Sequence, residues 1–160
     1  MLSEEKLRKS IEGAESDYQS TGIYTSISDT LTFFKDQAEF WKRSSLQIQH
    51  LSLSAEFKYF HFLQPNQYIE GSKNLSSKEF EIAFESGPFT YKYAVQKGYW
   101  LLQEEGKKLL QEGVNFVDLT QMFRNESRTV YNDKCCHFNQ LGYDLIADKI
   151  TLRILSDVEK

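Results

Sequence analysis

Cysteine and proline are scarce in this chain, and no apolar run approaches the roughly 18 residues needed to cross a bilayer. Only two cysteines occur among 160 residues, and they are neighbours, Cys135 and Cys136. A bond between adjacent cysteines strains the peptide joining them, which argues against a disulfide framework. The pair also lacks zinc spacing, in which cysteines stand a few residues apart and ligands come from separate segments. His50 and His61 bring no second ligand pair, so neither a metal nor another cofactor is expected. Small and apolar, the two cysteines suit the packing of a loop beneath a helix. Both prolines punctuate: Pro65 follows an apolar run, and Pro88 closes Ser86-Gly87-Pro88.

An excess of basic charge is missing too. The net charge is −4, with acidic and basic residues interleaved, so no nucleic-acid footprint is expected. The N-terminus, Met1-Leu2-Ser3-Glu4-Glu5-Lys6, lacks the apolar core of a signal peptide. As written, the chain carries no address out of the cytoplasm, an expectation that a signal upstream in a longer protein would reverse. Repeats, low-complexity tracts and linkers are absent, which suits a single domain over residues 1–160. What is present is core material: 40% hydrophobic and 14% aromatic residues, well above a disordered chain.

The pattern reads as alternating helix and strand. A short polar helix is expected over Ser3–Ala14, then a polar connection over Asp17–Ser28. Asp29 suits the cap of a long helix to about Leu53, with Leu31, Phe34, Ala38, Trp41, Leu46 and Ile48 at helical spacing. Phe57 to Leu63 leaves few polar positions beside Phe57, Tyr59, Phe60, Phe62 and Leu63, as befits a parallel strand covered on both faces. Ser76-Ser77-Lys78-Glu79 has the form of a capping box opening a helix to about Glu85. Another helix spans about Tyr91 to Glu112, ends at Gly113, and could break at Gly98 or Gly106. Val114 to Leu119 is a second strand, and helices between two buried strands imply a right-handed parallel crossover. A final helix runs from Gln140 to about Ser156, with Leu141, Leu145, Ile146, Ile150 and Ile154 inward. Two strands cannot cover this much helix, so one strand edge should be open, paired with another copy, or meant for a partner segment.

The chemistry gathers in Tyr131-Asn132-Asp133-Lys134-Cys135-Cys136-His137-Phe138-Asn139-Gln140-Leu141-Gly142. An Asp and a His share one loop directly before a helix. That pairing is needed when a carboxylate fixes the tautomer of an imidazole acting as general base on a nucleophile. The nucleophile is what the sequence withholds: no serine stands in a Gly-x-Ser-x-Gly or Gly-Asp-Ser setting.

This block resembles the last conserved block of the SGNH (GDSL-like) hydrolases. Phe116 to Phe123 resembles the strand and turn that precede it, and Tyr59 to Tyr68 is similar to an earlier strand and loop. The resemblance covers roughly residues 40–155. It implies a partial three-layer α/β/α, flavodoxin-like fold with a small parallel sheet. It also implies the C-terminal part of an ester hydrolase in which Asp133 and His137 take the Asp and His roles of a Ser-His-Asp triad. Nothing supplies the Ser, or the Gly and Asn that hold the oxyanion. Three residues separate Asp133 from His137, where the family has two. Loops after parallel strands share one rim, so Asn66 and Gln67 are candidate donors to a substrate oxygen, and Tyr68, Tyr99 and Trp100 candidates for an acyl or sugar cleft. The expected partners are a small-molecule or glycan ester, and an N-terminal half or second copy completing the sheet. Two alternatives remain: a non-catalytic remnant serving as an interaction module, and a dyad serving water or a thiolate of Cys135 or Cys136.

Overall fold

The computed structural model of the protein describes residues 29–158, so the elements expected over Ser3–Ala14 and Asp17–Ser28 lie outside the described residues. The first described helix, α1, spans Thr30–Ser54. Ala38 is buried, and Phe34, Trp41 and Leu46 are half-buried, as their spacing predicts. Leu31 and Ile48 depart from expectation, at 49% and 43% exposed. Two serines, Ser45 and Ser52, take the inner positions instead. Burying a hydroxyl requires a partner, and Ser45 Oγ finds one in His61 Nδ1 at 2.7 Å.

Strand β1 covers Phe60–Leu63, starting three residues later than the apolar run suggests. The residues before it terminate α1. Glu56 adopts a left-handed φ of 56°, and Phe57 N donates to Ser52 O at 3.0 Å, a Schellman closure with glutamate where glycine is usual. Phe57 is thereby left 48% exposed.

Helix α2, Ser77–Ala83, and helix α3, Thr90–Gln111, follow before β2, Asn115–Asp118. Ser76 caps α2, accepting from Glu79 N at 3.2 Å. The reciprocal half of the capping box is not made, because the Glu79 carboxylate turns into the core. The helix also stops at Ala83, short of Glu85. Glu85 is drawn away: its N–H donates to Tyr68 Oη at 3.2 Å and its carboxylate pairs with Lys134 at 2.7 Å.

Neither Gly98 nor Gly106 breaks α3. Both are there for close approach: a Cβ on Gly98 would lie 3.3 Å from the Phe34 ring, and one on Gly106 only 2.3 Å from that of Phe116. The Phe116 ring is packed into the core against Leu63, Leu109 and Val114, so it can turn aside only by displacing those neighbours. Gly106→Ala is expected to destabilise the fold by about 1–3 kcal/mol through overpacking, read as a lower urea midpoint with an unchanged slope. Gly113, at φ 84°, ends α3, with Val114 N donating to Leu109 O at 3.0 Å.

Strands β1 and β2 pair in parallel, with Phe60 opposite Asn115 and Leu63 opposite Asp118. Register puts His61, Leu63 and Phe116 on one face. There Trp41 and Leu46 of α1, and Leu102 and Leu109 of α3, close a core with Leu63, Val114 and Phe116. Helix α4, Gln140–Val158, meets the opposite face: Arg153 lies over the Phe60 ring at 5.3 Å and donates to Asn115 Oδ1 at 3.3 Å. The five apolar residues expected on its inner side are all only half-buried. The sheet has two strands, so among the described residues each keeps one edge without a ladder partner. That matches the open edge anticipated from the sequence. No helix among the described residues is long and apolar enough to cross a membrane.

Candidate functional site

A second core lies beside the sheet: Ala83, Phe123, Val130, Tyr131 and Phe138, joined by Leu141, Leu145 and Ile146. The Asp–His loop grows out of it. Tyr131 and Phe138 form an antiparallel bridge. Asn132 N donates to His137 O at 2.9 Å, and Asn139 N donates to Val130 O at 2.8 Å. The loop from 132 to 137 is thus closed at its base like a hairpin.

The Asn-x-x-Gly that follows makes a second clamp. Asn139 Oδ1 accepts from Gly142 N at 3.0 Å, capping α4, and its Nδ2 donates to Thr129 O at 2.7 Å. A Cβ on Gly142 would fall 2.8 Å from Val130 O and 2.9 Å from Phe138 Cβ. Only glycine lets the first turn of α4 lie against the loop base.

From below, Glu79 holds the segment that enters the loop. Its Oε1 accepts from Val130 N at 2.8 Å and Tyr131 N at 2.9 Å. Its Oε2 lies 3.1 Å from Lys73 Nζ, both side chains being wholly buried. That approach is an ion pair off the hydrogen-bonding direction, since Oε2 accepts no hydrogen bond. Lys73 Nζ donates instead to Glu126 O at 2.5 Å.

Inside the loop, Asp133 organises the backbone. Oδ1 accepts from Cys135 N at 2.8 Å, Cys136 N at 3.2 Å and His137 N at 3.3 Å. Cys136 sits at φ 125°, a strained value for a side chain-bearing residue. This tight wrap brings Asp133 Oδ2 to 2.5 Å from His137 Nδ1 despite the three-residue spacing. Burial works to raise the Asp133 carboxyl, but the His137 ring and the N–H groups of Cys135 and His137 outweigh it and hold it below its ordinary value. An ionised carboxylate only accepts, so Nδ1 carries a proton and donates, and in the neutral imidazole the lone pair is on Nε2. The His137 side chain is 62% exposed. Among the described residues Asp133 is the one side chain bonded to its ring.

The loop after β1 rises on the same rim, as expected. Gln67 Nε2 donates to Ala83 O and Asp133 O, both at 3.0 Å, and Tyr68 Oη donates to Lys134 O at 2.8 Å. Asn66 is fully buried. Its Oδ1 accepts from Tyr68 N at 3.0 Å in an Asx turn, and its Nδ2 donates to Tyr91 Oη at 2.6 Å. The amide donors of Asn66 and Gln67 are therefore engaged within the protein, where they brace the Asp133 loop. Tyr68, Tyr99 and Trp100 do come together, lining a cavity of about 470 Å³ that neither Asp133 nor His137 borders. The Cys135 thiol is raised, by partial desolvation first and then by Cys136 and Asp133, the reverse of an activated thiolate.

Sequence reasoning missed Glu79 and Lys73 as braces of the loop. The capping-box spacing accounts for Glu79 locally, and nothing adjacent marks Lys73 as buried. Among the described residues no cluster of His, Cys, Asp and Glu has the makings of a metal site. No family model, curated protein or solved structure matches the chain.

Proposed function

We propose that this chain is the His–Asp half of an SGNH-type ester hydrolase. Its small sheet would be part of a three-layer α/β/α fold completed by an N-terminal half or a second copy along the open edge. The observation that carries this reading is the 2.5 Å contact of Asp133 Oδ2 with His137 Nδ1, in a loop that leaves Nε2 accessible. In that reaction a serine supplied from elsewhere attacks the acyl carbon of a small-molecule or glycan ester. Nε2 takes the serine proton as the oxygen–acyl bond forms, then gives it to the departing alcohol; water reverses these steps to free the acid. Asp133 holds the ring and stabilises the imidazolium. The oxyanion donors come from elsewhere, since Asn66 and Gln67 are engaged internally.

The test is p-nitrophenyl acetate hydrolysis by the chain joined to, or mixed with, any Gly-Asp-Ser-bearing segment that its own gene or a neighbouring one encodes; the absence of such a segment counts against the proposal. His137→Ala is expected to lower that activity by about 10⁶-fold. Equal rates in the two proteins would overturn the proposal. They would favour a non-catalytic interaction module, a reading supported by the lack of any nucleophile bonded to the His137 ring among the described residues.

A further inference from the structure

We infer that the cavity beside α3 is a binding site for a neutral sugar ring of a glycan, independent of any hydrolysis at His137. Its volume of about 470 Å³ lies within the range of about 300–1,000 Å³ typical of small-molecule sites. Two kinds of group line it. Tyr68, Tyr99 and Trp100 supply aromatic surface, and Trp100, 47% exposed, leaves part of its ring open to a ligand. Gln96, Gln103 and Gln121 supply planar amides.

Internal bonds fix what those amides offer. Gln103 Nε2 donates to Asp118 Oδ2 at 3.0 Å and Thr120 Oγ1 at 2.9 Å, which leaves its carbonyl oxygen as an oriented acceptor. Gln121 Oε1 accepts from Arg124 Nη2 at 2.7 Å, which leaves its NH₂ as an oriented donor. The Gln96 amide has no partner among the described residues, so it presents both. A hydroxyl donates and accepts at once, and an array of fixed donors and acceptors beside flat rings suits a polyol with apolar C–H faces.

Competing ligand classes fit less well. No lysine or arginine lines the cavity, whereas the Glu70 carboxylate does, which disfavours phosphate and carboxylate ligands. A fatty acyl chain would cover the rings but leave the Gln96 amide, the Gln103 carbonyl and the Gln121 NH₂ desolvated without partners. A quaternary ammonium would use the rings and Glu70 but none of the amides.

Saturation-transfer NMR on the full chain, with cellotriose, maltotriose and chitotriose as probes and choline, octanoate and inorganic phosphate as comparisons, tests this. Transfer to ring protons of at least one trisaccharide is expected. Trp100→Ala should weaken it by about tenfold or more, and Gln103→Leu should weaken it too. His137→Ala should bind as the wild type does, so a failed hydrolase reading would leave this result standing. Absence of transfer to all three sugars, retention of binding in Trp100→Ala, or Trp100-dependent binding of choline or octanoate in their place would each overturn the inference. Trp100 is half exposed, so its replacement is not expected to unfold the chain; an unchanged circular dichroism spectrum checks that.

Discussion

Glu79→Ala is expected to destabilise the protein by about 3–5 kcal/mol, the cost of breaking a buried pair and leaving one charge uncompensated. Three groups lose their partner together. Lys73 Nζ keeps only Glu126 O inside a wholly buried setting. Val130 N and Tyr131 N lose the oxygen they share, in a core too closed for water to replace it easily. The double variant Lys73→Met, Glu79→Leu separates these costs. It removes both charges and restores apolar volume, so the electrostatic part should be recovered. It leaves the two N–H groups orphaned, so a residual loss of about 1–3 kcal/mol per group should persist. Urea unfolding of the wild type and both variants measures this. A loss below about 1 kcal/mol for Glu79→Ala would mean that water already reaches the pair. Because Glu79 holds Val130 and Tyr131 at the entry to the Asp133 loop, hydrogen exchange at Asn132 and Asn139 should quicken in parallel.

Local rules were read well wherever the chain answers to them. The stop at Gly113 and the N-cap at Ser76 both turn on neighbouring residues, and each is found where the sequence puts it. What stayed hidden depends on residues far apart in the chain. Ser45 is buried because His61 waits across the core, and nothing near Ser45 says so. Glu79 satisfies the capping-box spacing, yet a partner about fifty positions away takes its carboxylate. Gly98 and Gly106 read as helix breakers in isolation; they are contact surfaces for Phe34 and Phe116.

The same division runs through the site. Asp133 and His137 were legible because their pairing is local to one loop. The three-residue spacing closes because the backbone turns at Cys136, φ 125°, which lets Asp133 reach the ring. The roles of Asn66 and Gln67 were not legible. Whether an amide faces a substrate or braces a neighbouring loop depends on where Tyr91, Ala83 and Asp133 fall. The cavity was half legible: its aromatic residues were noted, while its glutamines come from α3 and from the turn after β2 and converge only in the folded chain.

Under the proposed hydrolase reading, Asp133→Asn should lower turnover by about 10⁴-fold while leaving the fold nearly intact. The reason is the proton, not the shape. Asparagine is the same size as aspartate, and its Oδ1 can still accept from the N–H groups of Cys135, Cys136 and His137 that the carboxylate now binds. The loop should therefore keep its strained wrap. The other terminal atom changes from an acceptor to an NH₂ donor, and it faces His137 Nδ1. Nδ1 must then become the acceptor, which moves the ring proton to Nε2, the position from which a base has to take one. Charge works in the same direction, because the neutral amide no longer stabilises the imidazolium formed during attack. Long-range nitrogen–proton NMR correlations of His137 read the tautomer directly and need no substrate. They should report Nδ1–H in the wild type and Nε2–H in Asp133→Asn. If both proteins give the same tautomer, Asp133 is a loop-former that happens to touch the ring. If the tautomer switches but activity survives, His137 is not the base.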